Sequence, residues 1–147
     1  MNKTKTLESI QNARKAHILQ MEKIEAAIDG KIVNNPTALS KTECGFGQWL
    51  YDDTNNLRNV LGAFFYDNLD ALHEKWHLEY CRIFEIFFKN EKKGLFSKII
   101  GTSKISAMDV DRAKLYYSEL KVTTEELLKA LASSERRIAA LSETRFG

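Results

Sequence analysis

The chain has 147 residues, of which 44% are hydrophobic and 29% charged, enough for one globular domain with a real core. Its 22 basic and 20 acidic residues are interspersed and leave a formal charge of +2, so nothing in the balance points to nucleic acid. There is no apolar run of about 18 residues and no apolar h-region near the start, so neither a membrane span nor a signal peptide is expected. The two cysteines make no disulfide framework, and a reducing, cytoplasmic setting is expected, where cysteines bind metal, act in redox chemistry or stay inert.

An amphipathic helix is predicted from about Thr4 to Asp29. Leu7, Ile10, His17, Met21, Ile24 and Ile28 recur at three-four spacing, interrupted only by Arg14, with Lys and Glu on the other face. Gly30 is its natural C-cap. His17 therefore belongs to the inward stripe. Residues 30–42 read as a connector, with Asn34-Asn35-Pro36 as the turn signal.

The stretch Cys44-Gly45-Phe46-Gly47-Gln48-Trp49-Leu50-Tyr51 follows as a short helix. It places a thiol where backbone N–H groups and a positive dipole end favour thiolate. The glycines permit a tight turn, and Phe46, Trp49 and Leu50 can anchor it in a core. The alternative is a cysteine that is only a small buried hydrophobe.

A longer helix is predicted from about Leu57 to Lys89, bent near Asp67-Asn68. Its stripe is Tyr66, Leu69, His73, Trp76, Tyr80, Ile83 and Phe87, flanked by Leu72, His77, Cys81, Phe84 and Phe88. So broad an apolar face suits the central helix of a bundle. Residues 90–105, with Gly94 and Gly101, read as a surface excursion. Ser106 to Asp109 is a capping signal for a last helix reaching about Ser142. Val110, Ala113, Tyr117, Leu120, Leu127, Leu131, Ile138 and Leu141 hold a heptad register there, with Thr124 and Ser134 in its two polar slots. A helix of about 35 residues spans roughly 50 Å. An overhanging heptad seam is usually buried by a partner, and a second copy of the chain is the simplest one. The expected fold is one all-α domain over 1–147: an antiparallel bundle of four main helices plus the short Cys-bearing helix, dimeric.

His73 and His77, four apart, share a helical face at a spacing that lets two imidazoles chelate one ion. That signal is weak alone. It gains weight because His17 also points inward and Cys44 can close the set from its loop, so that all three histidines of the chain face one interior. Three neutral imidazoles and a thiolate suit tetrahedral zinc, whereas three uncoordinated histidines on apolar faces would each need another partner. Competing readings are poorer. Glu74 and His77 imitate half of a ferritin-like di-iron motif, but the second Glu-x-x-His is lacking. Cys81, four residues after His77, reads as a buried core cysteine, with an alternative ligand or a disulfide partner for Cys44 as the lesser options. Four protein ligands leave no open position for catalytic zinc. Nucleophilic catalysis by Cys44 lacks an orienting third residue.

An N-helix histidine (His17), the Cys44–Tyr51 stretch with Gly47 and Trp49, and the pair His73 and His77 together resemble the chemoreceptor zinc-binding (CZB) domain family over about residues 10–90. The resemblance implies a cytosolic bacterial bundle, often dimeric, that holds zinc with three His and one Cys. It also implies attachment to a chemoreceptor or diguanylate cyclase, and regulation by zinc or by oxidants such as hypochlorous acid at the ligand cysteine. The chain carries no receptor signalling hairpin and no cyclase domain, so the output is expected from a partner protein or from a further part of a longer chain. Oxidation of Cys44 would weaken its bond to zinc and loosen the turn. The remaining alternative is a structural module in which zinc only holds a dimer together. Asp70 and Glu74 are the nearest candidates to support the histidines from behind.

Overall fold

The sequence periodicities become an all-helical fold in the computed structural model, which describes residues 1–31, 33, 38–88 and 105–146. Helix α1 (Lys3–Ile28) starts at Asn2, whose side chain accepts the Lys5 N–H. It buries Ile10, Ala13, His17, Met21, Ile24 and Ala27 along one stripe. Its end follows the expectation for Gly30, which takes φ +82° while the Lys31 N–H closes onto the Ala26 carbonyl. Helix α2 (Gly45–Leu50) is the short Cys-bearing helix, and Cys44 is its N-cap.

The long helix expected from Leu57 is two helices, α3 (Leu57–Leu61) and α4 (Ala63–Phe88). The break falls at Gly62, not at Asp67-Asn68. Gly62 adopts φ +91°, a conformation that costs a glycine little and other residues much. Arg137 donates from its guanidinium to the Leu61 carbonyl that the break leaves unpaired. Asp67 stays inside α4 and pairs with Arg58 of α3, bracing the corner.

Helix α5 (Ala107–Ala140) begins as expected, with the Ser106 hydroxyl accepting the Asp109 N–H at 3.1 Å. It runs antiparallel to α1, as Arg14–Glu135, Met21–Thr124 and Glu25–Tyr117 contacts descend one side. It also runs antiparallel to α4, with Arg137 at Leu61, Thr124 at Trp76 and Glu119 at Arg82 on the other. The helix in the middle is therefore α5, and the expectation that α4 is central is corrected. The face of α4 is broad because it meets α5 on one side and the Cys44 segment on the other.

The heptad seam of α5 is filled inside the chain. Leu120, Leu127, Leu131 and Ile138 are fully buried, each contributing about 1.5–3 kcal/mol. Its two polar slots are satisfied locally: Thr124 accepts the Trp76 indole N–H at 2.9 Å and donates to the Leu120 carbonyl, and Ser134 donates to the Ala130 carbonyl. From Ala113 to Ile138 the seam that suggested a second copy is occupied by this chain's own helices. The excursion expected at 90–105 and the Asn34-Asn35-Pro36 turn lie outside the described residues, Ile105 excepted. Among the described residues no helix is long and apolar enough to cross a membrane.

Candidate metal centre

The helix-spacing argument holds in space. His17 (α1), His73 and His77 (α4) are all buried, and each offers a ring nitrogen such that the three atoms lie within 4.8 Å of one another. The Nε2 atoms of His73 and His77 are 3.1 Å apart, and the Cys44 Sγ is 3.2 Å from His73 Nε2. A tetrahedral zinc with bonds of about 2.0–2.3 Å sets its donors roughly 3.3–3.7 Å from each other. The donors are thus gathered at close to the spacing that one ion requires.

Two of the rings are oriented by the backbone. His17 Nδ1 sits 2.7 Å from the Ala13 carbonyl, one turn back in α1, and His77 Nδ1 sits 3.0 Å from the Leu39 carbonyl. A carbonyl only accepts, so in both rings the proton is on Nδ1 and Nε2 keeps a lone pair. Burial keeps all three histidines neutral. It lowers His17 to about 4, against the raising pull of the Ala13 carbonyl. It lowers His73 to about 2, with the neighbouring His77 and His17 adding to the effect, and it lowers His77 in the same direction. Buried neutral imidazoles, with the His17 and His77 Nε2 lone pairs left free by the backbone bonds to Nδ1, form a set of acceptors gathered at one point. A divalent cation fits that set.

Cys44 is placed as predicted and titrates otherwise. Its Sγ accepts the Gly47 N–H at 3.3 Å at the start of α2, the geometry expected to favour thiolate. Burial outweighs this help and raises the thiol above its ordinary value, even with the Gly47 and Phe46 amides pulling down. A cation beside the sulfur is what would make it a thiolate.

The turn is held from below. A Cβ on Gly47 would lie 1.6 Å from the Lys41 carbonyl oxygen, so only glycine lets the two backbones approach. Phe46 and Leu50 are buried, and Phe46 packs edge-on against His73 with centroids 4.7 Å apart. Trp49 is only half-buried, its indole N–H directed to the Met1 sulfur.

Two residues behind the histidines were not legible as such in the sequence. Tyr51 Oη stands between the Asp70 carboxylate, at 2.7 Å, and His73 Nδ1, at 3.4 Å. Lys41 Nζ pairs with the same carboxylate at 2.9 Å. Tyr51 lay in the cysteine stretch, but nothing in its spacing tied it to a histidine. Of the two acidic candidates, Asp70 reaches His73 through Tyr51. The Glu74 carboxylate turns outward, 3.8 Å from Lys41, and touches no histidine. Cys81 is half-buried rather than buried in the core. Its thiol donates to the Leu39 carbonyl, and both cysteines are free thiols.

Residues 17–83 match the family described as the chemoreceptor zinc-binding domain. The match starts at His17 and spans Cys44, His73 and His77. No curated protein and no solved structure matches the chain.

Proposed function

With a chemoreceptor zinc-binding domain across residues 17–83 as the premise, we propose that this chain binds one Zn²⁺ through His17, Cys44, His73 and His77 and acts as a regulatory module. The observation that carries the reading is the convergence of three buried imidazoles and a thiol from three separate segments. Bound zinc supplies a divalent charge and four directional bonds, and so ties α1, the Cys44 turn and α4 together. Four protein donors close that shell, which favours control of shape over turnover.

Cys44 is the responsive ligand in this reading. It is half-buried where the histidines are buried, and it lines an open-sided cavity of about 580 Å³ together with His17, Phe46 and Trp49. Hypochlorous acid would enter there. The sulfur attacks chlorine, an S–Cl bond forms, the O–Cl bond breaks, and hydroxide leaves. Water then replaces chloride on sulfur, giving a sulfenic acid, chloride and a proton. A sulfenic acid is a poorer donor than thiolate, so the Cys44 turn is released while the histidines keep their hold. The loosened turn is then read by a second copy of the chain, a chemoreceptor or a diguanylate cyclase in the cytoplasm. The structural alternative, zinc as a fixed cross-link of a dimer, draws support from the backbone hydrogen bonds that pre-set His17 and His77.

The test is zinc content by mass spectrometry of wild type beside Cys44→Ala and His77→Ala. The expected result is about one zinc per chain in wild type and a loss in both variants. Wild type that takes up no zinc when supplied ends the metal reading. Trapping the Cys44 sulfenic acid with dimedone and finding zinc still fully bound ends the oxidant branch and leaves the cross-link.

A further inference from the structure

Burial and backbone carbonyls settle the tautomers of His17 and His77, but not that of His73. Its Nδ1 faces a phenol oxygen, which can either give or take a proton. The Nε2 faces His77 Nε2 at 3.1 Å and the Cys44 sulfur at 3.2 Å. Left to itself, His73 would carry its proton on Nε2, because His77 Nε2 is a waiting acceptor there. That arrangement would cap the lone pair a metal needs.

The neighbours of Tyr51 decide otherwise. We propose that Asp70 and Tyr51 are positioning residues that force the His73 proton onto Nδ1 and so present Nε2 to the metal. The inference rests on the zinc reading and adds to it the groups that ready the site. Tyr51 has one proton, and the carboxylate at 2.7 Å claims it, because an ionised carboxylate only accepts. The Tyr51 oxygen can then only accept from His73, which must supply an Nδ1–H. Lys41 keeps Asp70 in the required state, its ammonium on the same carboxylate oxygen at 2.9 Å. Against the raising effect of burial, the Tyr51 and Lys41 hydrogen bonds draw the Asp70 carboxyl below its ordinary range. Lys41 also lies over the Tyr51 ring, 5.1 Å from its centroid, and its backbone carries the Gly47 contact. Imidazole donates to phenol and phenol to carboxylate, so the hydrogen bonds run outward from the site and the lone pair on His73 Nε2 points in.

The experiment uses the whole chain in zinc-free and zinc-loaded forms. Long-range nitrogen–hydrogen NMR correlations read the His73 tautomer in the zinc-free protein, at a pH about one unit above the ordinary histidine value of about 6.5. Chelator competition reads zinc affinity. Wild type should show the Nδ1–H form. Tyr51→Phe removes the acceptor, and Asp70→Asn lets an amide donate to Tyr51 and turn its proton toward His73. Both variants should shift His73 to the Nε2–H form and weaken zinc binding by roughly 10-fold or more. Tyr66→Phe removes a nearby hydroxyl that donates to the Leu50 carbonyl at the end of α2, and should alter neither readout. Either readout staying at its wild-type value in Tyr51→Phe overturns the proposal, as does Tyr66→Phe reproducing the effect. Wild type that binds no zinc defeats the zinc reading instead, and the tautomer comparison still tests what Asp70 and Tyr51 do to His73.

Discussion

A histidine held neutral inside a protein is a stability statement as well as a ligand. In the unfolded chain each imidazole takes up a proton near its ordinary value of about 6.5. In the folded chain burial delays that uptake to about 4 for His17 and about 2 for His73, and lowers His77 too. Between those values the unfolded state binds more protons, so stability rises with pH through the window. The zinc-free protein should therefore lose stability as pH falls from 6.5 toward 4, by at most ~1.4 kcal/mol per pH unit for each histidine that stays neutral. Denaturant midpoints of the zinc-free protein across that range measure the slope, and His17→Leu should flatten it. A slope untouched by that substitution would assign the acid sensitivity to other groups.

The element that sets the site is the Cys44 turn with α2, too short to be stable alone and held by what it touches. Its two glycines are unequal. Gly45 opens α2 with nothing within 4 Å of where a Cβ would sit, whereas at Gly47 that atom would meet the Lys41 carbonyl oxygen at 1.6 Å. Gly45→Ala should change stability by no more than about 0.5 kcal/mol. Gly47→Ala must move backbone, and should cost about 1–3 kcal/mol while also drawing the Cys44 sulfur away from His73. Thermal or denaturant unfolding of the two variants gives the comparison. Equal effects at the two positions would mean that the close approach to Lys41 does not constrain the turn.

Across the whole molecule, α5 is the spine. It packs against α1 on one side and α4 on the other, through Leu120, Leu127, Leu131 and Ile138. The candidate metal centre sits where α1 and α4 face each other, bridged by His17 against Trp76 with centroids 4.9 Å apart and by the α2 turn. Zinc held as proposed would bond α1, the turn and α4 to one another, and its removal would leave the contacts along α5 in place. Hydrogen exchange should therefore speed up in residues 44–51 and around His17 once zinc is stripped, while 120–138 stays protected. Mass-spectrometric exchange of the two forms decides this. A uniform rise across the chain would mean that zinc supports the global fold, as in a purely structural site.

Helical class, the inward placement of His17, His73 and His77, the cap at Gly30 and the start of α5 were all legible in the sequence. Each follows from a local rule, the period of an α-helix or the chemistry of a cap, which needs no knowledge of the neighbours. Cys44 could be placed on its turn by the same means. Its thiol state could not, since burial by distant side chains outweighs the local amides. The break at Gly62 was visible only as one glycine in a long apolar pattern, because what makes it tolerable is Arg137, which bonds the Leu61 carbonyl from 76 positions along the chain. The middle position of α5, the filling of its seam by the chain's own helices, and the link from Asp70 through Tyr51 to His73 belong to tertiary structure alone. They depend on which faces meet and on angstrom-scale distances between segments, and a periodicity read along one strand of sequence carries neither.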